Sequence, residues 1–199
     1  MTPTEATQIA TPHIKGWIGA DVHHILEFIG AHHDQIGLRG DVAEIGVHHG
    51  RLFFPLASLT RETEVAVAVD LFHNQHLNID KSGHGDRARF ESHARELFPD
   101  LEARIRIIEG DSLSLRPHDF KQAMQHSGLR ILSVDGGHTH HHVINDLSLA
   151  QDLILPAGVV ILDDFLAYLW PTVTEGFFRF IQSHNRHLAP FLIFQNKLF

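Results

Sequence analysis

Three aspartates that follow apolar segments of this chain could together bind a metal ion. Asp135 ends the segment 129–135, and the adjacent pair Asp163 and Asp164 ends the segment 159–163. Carboxylates crowded into one cleft repel one another, and a hard divalent cation relieves that repulsion. An oxygen-only set of ligands favours Mg²⁺ or Ca²⁺ over zinc. No Lys or Arg lies beside these acids in the sequence to compensate them. Such an ion can bind two vicinal hydroxyl oxygens and lower the pKa of one of them.

Acidic residues also end three earlier apolar segments, at Glu44, Asp70 and Asp111. Ligands of an open α/β sheet bind outside the carboxyl ends of its strands, so acids on one edge indicate a binding site. A carboxylate at Asp70 can accept hydrogen bonds from both hydroxyls of a ribose. Asp111 and Ser112 could meet an adenine amino group, although capping of a helix explains these two residues equally well.

Glycines accompany the first of these acids in the pattern Glu44-x-Gly46-x-x-x-Gly50. Glycine permits a sharp turn from strand to helix, and it lets a ligand approach the free N–H groups of the helix N-terminus. The spacing differs from the Gly-x-Gly-x-x-Gly of dinucleotide-binding folds. We therefore predict a ligand-binding strand–turn–helix unit of another kind.

The periodicity of apolar residues places the acids in alternating strands and helices. We predict one or two helices within 14–36, and then strands over 42–46, 64–70, 104–109, 129–135, 159–163 and 191–194. The helices between and after them are predicted over 51–59, 86–97, 117–126, 141–155 and 173–185. This alternation predicts an α/β fold with a Rossmann-like, doubly wound, mostly parallel sheet and N-terminal helices. A seventh strand is expected to be short or missing. The long polar loop 72–85 is expected to be functional.

The domain organisation follows from length and composition. With 199 residues, 43% of them hydrophobic, the chain is expected to form one domain over 13–199. Within it, residues 13–40 supply the N-terminal helices and 41–199 the Rossmann-like core, and residues 1–12 are expected to be mobile.

Composition also restricts the partners. The net charge of −8 argues against a nucleic-acid partner, and no apolar run is long enough to span a membrane. The chain contains no Cys and no apparent signal peptide, which suits the cytoplasm. A homo-oligomer is compatible with the sequence.

These motifs, in their order and spacing, resemble the class I S-adenosylmethionine (SAM)-dependent O-methyltransferases, and more narrowly the macrocin-type and other antibiotic-sugar O-methyltransferases. The matching segments are Ala43–Arg51, Asp70–Asp86 with its Asp-Leu-Phe start, Ser133–His138 with its Asp-Gly-Gly-His end, Ile161–Phe165, Trp170–Pro171 and Glu175–Gly176. The resemblance runs from about Gly16 to the C-terminus.

The resemblance implies a class I methyltransferase fold, SAM as methyl donor and Mg²⁺ as a second cofactor. It implies a cofactor site made of Glu44, Gly46, Val47, Gly50, Asp70, Leu71, Phe72, Gln75, Asp111, Ser112 and Asp135. It places the metal on Asp135, Asp163 and Asp164, and it gives Asp135 and His138 catalytic roles. His138 would be a general base or a group that orients the substrate. Histidines also follow at 140–142, and a solvated helix start or a fortuitous transition-metal site explains that run as well.

The expected acceptor is a small molecule that carries a hydroxyl, such as a sugar or another compound with vicinal hydroxyls. Three alternatives stay open at this point. Asp164 could cap the helix that follows it, with Asp135 contacting only the cofactor. The chain could be a non-catalytic SAM- or metal-binding module, or an NAD-dependent oxidoreductase, which the glycine spacing disfavours.

Overall fold

Seven strands form a single sheet in the computed structural model of the chain, which describes residues 1–199. The strands are β1 (Asp41–Ile45), β2 (Ala66–Asp70), β3 (Ile105–Glu109), β4 (Leu129–Val134), β5 (Ile154–Leu162), β6 (Ile193–Phe194) and β7 (Lys197–Leu198). Their order across the sheet is β3-β2-β1-β4-β5-β7-β6. Strands β1 to β5 are parallel to one another, whereas β7 runs antiparallel to β5 and to β6. The structure thus confirms the predicted doubly wound, mostly parallel α/β sheet.

Helices cover both faces of this sheet. They are α1 (Pro3–His13), α2 (Val22–Gln35), α3 (Phe53–Ala57), α4 (Arg87–Leu97), α5 (Pro99–Glu102), α6 (Pro117–Ala123), α7 (His140–Leu153) and α8 (Pro171–Ser183), with short 3₁₀ helices at Phe72–Leu77 and Ser112–Ser114. Buried residues of α1 to α5 form one apolar cluster with alternate strand residues such as Val42. Those of α6 to α8 form a second cluster with the next residues along, such as Ala43. Alternation along each strand therefore sends neighbouring side chains into two separate cores.

The N-terminal residues 1–12, for which the sequence predicts mobility, lie in a regular helix instead. Thr2 caps α1 by accepting a hydrogen bond from the backbone N–H of Glu5, and the Glu5 side chain accepts one from the backbone N–H of Thr2. This reciprocal capping satisfies two free donors of the first turn. Ala6 and Ala10 are fully buried where α1 packs on α2 and α3, so small residues here permit close packing rather than disorder.

The C-terminal strands are short, as predicted, but they are present. Strands β6 and β7 have two residues each, and β7 pairs with β5 through Leu198 and Leu162. The predicted strand over 191–194 is reduced to its last two residues. Strand β5 begins earlier than predicted because Ile154 already pairs with Leu129 before the register shifts.

The carboxyl ends of the central strands meet at one edge of the sheet. The backbone N–H of Gly46 donates to the carbonyl of Val69 at 2.8 Å, and that of Asp135 donates to the carbonyl of Ile45 at 2.8 Å. The N–H of Asp163 continues the series to β4. The residues after each strand are thereby held side by side. No helix in the structure is long and apolar enough to cross a membrane.

Candidate active site

A cavity of about 610 Å³ opens at the carboxyl edge of the sheet. Its floor is formed by the residues that follow β1 to β5, at the point where the strand order reverses between β1 and β4. Its walls come from the loop 77–85, the segment 167–170 and Trp17. This is the position at which open α/β sheets bind ligands.

Gly46 forms the floor at the turn after β1. Its φ of 91° lies in the left-handed region that favours glycine. A Cβ at this position would lie 1.8 Å from the carbonyl oxygen of Asp135, so the two strand ends approach too closely for any side chain. Gly46 lines the cavity, and the sharp turn after β1 requires glycine because the neighbouring strand end lies so close.

Asp70 ends β2 beside this turn and lines the cavity. Its carboxylate accepts hydrogen bonds from the backbone N–H groups of His48 at 2.7 Å and Phe72 at 2.9 Å. Burial raises the pKa of Asp70 above its ordinary value, although these backbone donors oppose the effect. The side chain is thus fixed in place by main-chain groups.

Asp111 and Ser112 follow β3, where the sequence left open whether they contact a cofactor or cap a helix. Asp111 caps the short helix after it, accepting from the N–H of Leu113 at 3.0 Å, and both residues also line the cavity. Asn145 donates to the carbonyl of Ser112 at 2.8 Å and holds the turn from behind. His142, which lies 3.8 Å from Asp111, completes this wall.

The structure separates the residues predicted for the cofactor site into two groups. Gly46, Asp70, Leu71, Gln75, Asp111, Ser112 and Asp135 line the cavity, whereas Glu44, Val47, Gly50 and Phe72 lie outside its lining. Glu44 is buried in the sheet, with Ser133 Oγ at 3.3 Å as its one side-chain partner, and its Oε2 has none. Burial raises the pKa of Glu44 to about 8, so this carboxyl group is mostly protonated at neutral pH. Direct cofactor contact by these four residues stays a prediction.

The acids after β4 and β5 converge with one histidine. Asp135, His138 and Asp164 each offer a ligand atom, and these atoms lie within 4.8 Å of one another. Burial raises the pKa of Asp135 well above its usual value, and the negative charge of Asp163 raises it further. The two carboxylates in this arrangement fit a divalent cation, and the imidazole could join them only in its neutral form.

Asp163 lies at the same edge, but the protein already compensates its charge. Lys197 on β7 is 2% exposed and pairs with one carboxylate oxygen of Asp163, while Asn196 donates to the other at 3.0 Å. Asn196 also donates to Asp164 at 3.0 Å. No basic residue lies beside these acids in the sequence, but the C-terminal hairpin brings Lys197 to them from a distant part of the chain.

His138 is held between two carboxylates. Its Nδ1 lies 2.8 Å from Asp80, which also accepts from the backbone N–H of His138, and its Nε2 lies 3.0 Å from Asp164. Burial acts to lower the pKa of His138, but the two carboxylates outweigh it and raise the pKa to about 9. Trp170 stacks on the ring at a centroid distance of 4.0 Å. The imidazole is thus protonated in this structure and fixed in orientation.

Sequence reasoning missed three polar residues of this site, Asp80, Asn196 and Lys197. Asp80 lies in the loop for which length and polarity predicted a function. The sequence therefore indicated the loop, but it did not indicate which residue of the loop is functional. Asn196 and Lys197 lie next to each other in the last turn of the chain, where no motif points to the sheet edge. Only the antiparallel pairing of β7 with β5 brings them to Asp163.

The sheet order, the glycine turn and the acids after the strands together define a class I methyltransferase. A family model described as a methyltransferase domain matches residues 43–165, which is more than half of the chain. The chain therefore belongs to this methyltransferase family, whose class takes its methyl group from SAM. The membership does not support the oxidoreductase alternative.

Solved structures show the same fold. The O-methyltransferase NovP superposes with a TM-score of 0.67 at 17% identity, covering 87% of this chain and 77% of that one. CalS11, described as a TDP-rhamnose 3′-O-methyltransferase of calicheamicin biosynthesis, gives 0.60 at 14% identity over 98% and 90%. An O-methyltransferase from Bacillus cereus in complex with S-adenosylhomocysteine (SAH) gives 0.60 at 14% over 90% and 76%. No curated protein matches the chain.

Proposed function

We propose that the protein is a SAM-dependent O-methyltransferase of the antibiotic-sugar type that methylates a hydroxyl of a small molecule. The observation that carries this proposal is the convergence of Asp135, His138 and Asp164 beside the Gly46 turn, inside one cavity. NovP and CalS11 are both named as O-methyltransferases, which supports transfer to oxygen.

The residues after β1 to β3 would bind the cofactor. Asp70, already fixed by backbone donors, offers carboxylate oxygens to the ribose hydroxyls. Asp111 and Ser112 would border the adenine end, and the turn at Gly46 would lie beside the methionine part. When bound, SAM supplies the methyl group on a positively charged sulfur, which an acid-lined cavity favours.

Asp135 and Asp164 would hold a divalent cation, with His138 beside them and not bound to the ion. Such an ion, when bound, would lower the pKa of an acceptor hydroxyl. Asp163 would not bind the ion, because its carboxylate is already held by Lys197 and Asn196. It would instead help to position Asp135 and Asp164. This assignment narrows the three-aspartate metal set expected from the sequence to the two acids that converge.

His138 is proposed to orient the acceptor hydroxyl and to receive its proton. In the structure Asp164 and Asp80 both keep the ring protonated. Drawing Asp164 away from Nε2 would leave one carboxylate partner and a lower pKa, the state in which the ring accepts a proton. The hydroxyl oxygen then forms a bond to the methyl carbon as the sulfur–carbon bond breaks, which yields the methyl ether and SAH.

Calorimetric titration with SAM and SAH, with and without Mg²⁺, tests the cofactor assignment. We expect micromolar binding of both ligands that Asp70→Ala weakens. Methyl transfer to hydroxylated acceptors, assayed with and without EDTA, then tests the metal. Absence of SAM and SAH binding would contradict the proposal. Binding without methyl transfer to any acceptor would favour the non-catalytic module instead.

A further inference from the structure

Apolar side chains are concentrated at the mouth of the cavity. Tyr168 is 95% exposed, Trp17 75%, Leu169 74% and Ile79 67%, and all four line the cavity. They come from three segments that are far apart in the sequence. Scattered exposed apolar residues are ordinary, but a group of them around one opening marks a binding surface.

The apolar wall continues from the mouth to the polar floor. Trp170 follows Leu169 in the chain and stacks on His138 with an interplanar angle of 14°. His138 in turn contacts Asp164 at the floor. A molecule that fills this space would place an apolar part at the mouth and a polar part at the carboxylates.

The charged residues that line the cavity are mostly acidic. The acidic residues that line the cavity are Asp70, Asp80, Asp111, Asp135, Asp163 and Asp164, and no Lys or Arg is among the lining residues. The positive charge of His138 is neutralised by Asp80 and Asp164, and Lys197 pairs with Asp163. Recognition of phosphate or carboxylate groups in proteins relies on basic side chains or free N–H donors. No basic side chain of the lining would therefore pair with an anionic acceptor, and the acids that hold no metal ion would repel it.

We propose that the methyl acceptor is a hydroxylated molecule with an apolar body and no negative charge. This inference rests on the proposed function and names the chemical class of its acceptor. It favours a neutral or cationic aglycone, or a sugar attached to one, and it excludes sugar nucleotides and other phosphorylated acceptors. The apolar body lies against Trp17, Ile79, Tyr168 and Leu169, and the hydroxyl faces His138 and Asp164.

Catechols of one size and different charge test the electrostatic half of the proposal. The SAH-loaded protein is titrated in Mg²⁺ with 4-ethylcatechol, dopamine and 3,4-dihydroxyphenylacetate, which are neutral, cationic and anionic. We expect the first two to bind at least about 10-fold more tightly than the anion, because the lining is acidic. Equal or tighter binding of the anion would overturn the proposal.

A homologous series tests the apolar half. From catechol to 4-propylcatechol, we expect each methylene to tighten binding about two- to fourfold as it leaves water. Tyr168→Ser and Trp17→Ser should remove most of this gain and leave SAH affinity unchanged. Phe28→Ser is the control, since Phe28 on α2 is 72% exposed but lies outside the cavity lining. Affinity that does not change with alkyl length, or that survives both substitutions, would contradict the apolar contact.

The failures of the two proposals are distinguishable. A protein that binds SAH but none of the catechols would contradict the acceptor class and leave the methyltransferase assignment in place. A protein that does not bind SAH would contradict the proposed function itself. Assays of methyl transfer from SAM to the same compounds should rank them as the titrations do.

Discussion

Acidic side chains are buried at both edges of the sheet. At the amino edge, Asp41 accepts backbone hydrogen bonds from Val65, Gln125 and His126, and a contact from the His126 ring at 3.1 Å. Its carboxylate is therefore fully surrounded by donors. Asp41 therefore fixes the start of β1, and its carboxylate has no oxygen left for a ligand.

Glu64 at the same edge is just as well supplied. Arg130, which is fully buried, donates to it at 2.9 Å, and Arg61 donates at 2.7 Å. Burial acts to raise the pKa of Glu64, but the hydrogen bonds and charge of Arg130 outweigh it and hold the pKa below the usual value. This acid stays ionised within a closed ion pair.

At the carboxyl edge, the buried acidic side chains have fewer hydrogen-bond partners. One oxygen of Glu44 has no partner, and the pKa of both Glu44 and Asp135 is raised by burial. Buried acids with all their partners serve the fold, whereas Asp135 is a buried acid with a raised pKa that lines the cavity, and such a group marks a functional site. The contrast between the two edges locates the site independently of any motif.

Replacement of a histidine at each edge should give the largest contrast. We expect His138→Gln to lower the turnover number by about 100-fold or more, because proton transfer by a positioned group contributes that much. His126→Gln, which alters the contact with Asp41, should leave turnover of the folded protein unchanged. Steady-state kinetics together with SAH titration checks both variants. Equal losses of turnover would erase the functional distinction between the edges.

Removal of the buried cation at each edge should separate their stabilities. We expect Arg130→Met to lower the free energy of unfolding by about 3–5 kcal/mol, because Glu64 would be left buried without its partner. Lys197→Met should have a smaller effect, since Asp163 lines an open cavity that water can enter. Urea unfolding of both variants measures the difference. A larger effect for Lys197→Met would contradict this account of the carboxyl edge.

Two acids that end neighbouring strands should differ in their effect on the cofactor. Asp70→Asn is expected to weaken SAH binding about 10-fold, because hydrogen bonds to a charged group contribute roughly 1.5–3 kcal/mol. Glu109→Gln on β3 is the control, since Glu109 pairs with Arg87 and His73 and lies outside the cavity lining. Calorimetry on both variants, with melting curves to verify folding, decides the point. SAH affinity that is insensitive to Asp70→Asn would argue against the ribose contact.

The smallest effect concerns pH and the amino edge. Burial, with the charge of Arg130, lowers the pKa of His33 from its usual 6.5 to about 4. Between these values the unfolded chain binds more protons, so stability falls as the pH drops from about 6.5 to 4. We expect His33→Gln to reduce this loss by about 1–2 kcal/mol. Unfolding free energies measured at pH 7 and pH 5 test this prediction. An equal loss of stability in the variant and the natural protein would contradict the lowered pKa of His33.

Much of the fold was predictable because its signals are local. Apolar runs such as Ala66–Val69 and the helix periodicity around them placed β1 to β5 in the correct order and type. The prediction did not include α1, the short helix α5, the two 3₁₀ helices or the exact bounds of the two-residue strands. Two-residue strands carry no periodicity, and α1 depends on Ala6 and Ala10 packing against residues far along the chain.

The candidate site was predictable where the chemistry follows a strand. Asp70, Asp111, Asp135 and Asp164 reach the cavity because the carboxyl ends of parallel strands share one edge. The same rule does not predict how deeply a side chain is buried. It therefore did not distinguish Glu44, which is buried within the sheet, from the acids that face the cavity.

The sequence by itself determined the class of fold, the edge that carries the acids and the glycine turn, since strand ends and backbone conformations are encoded by neighbouring residues. Only the tertiary structure decided which acids converge, that Lys197 compensates Asp163, and that Asp80 clamps His138. These contacts join residues that are distant in the chain. Their distances depend on how β7 and the 78–85 loop pack, and no local pattern specifies that packing.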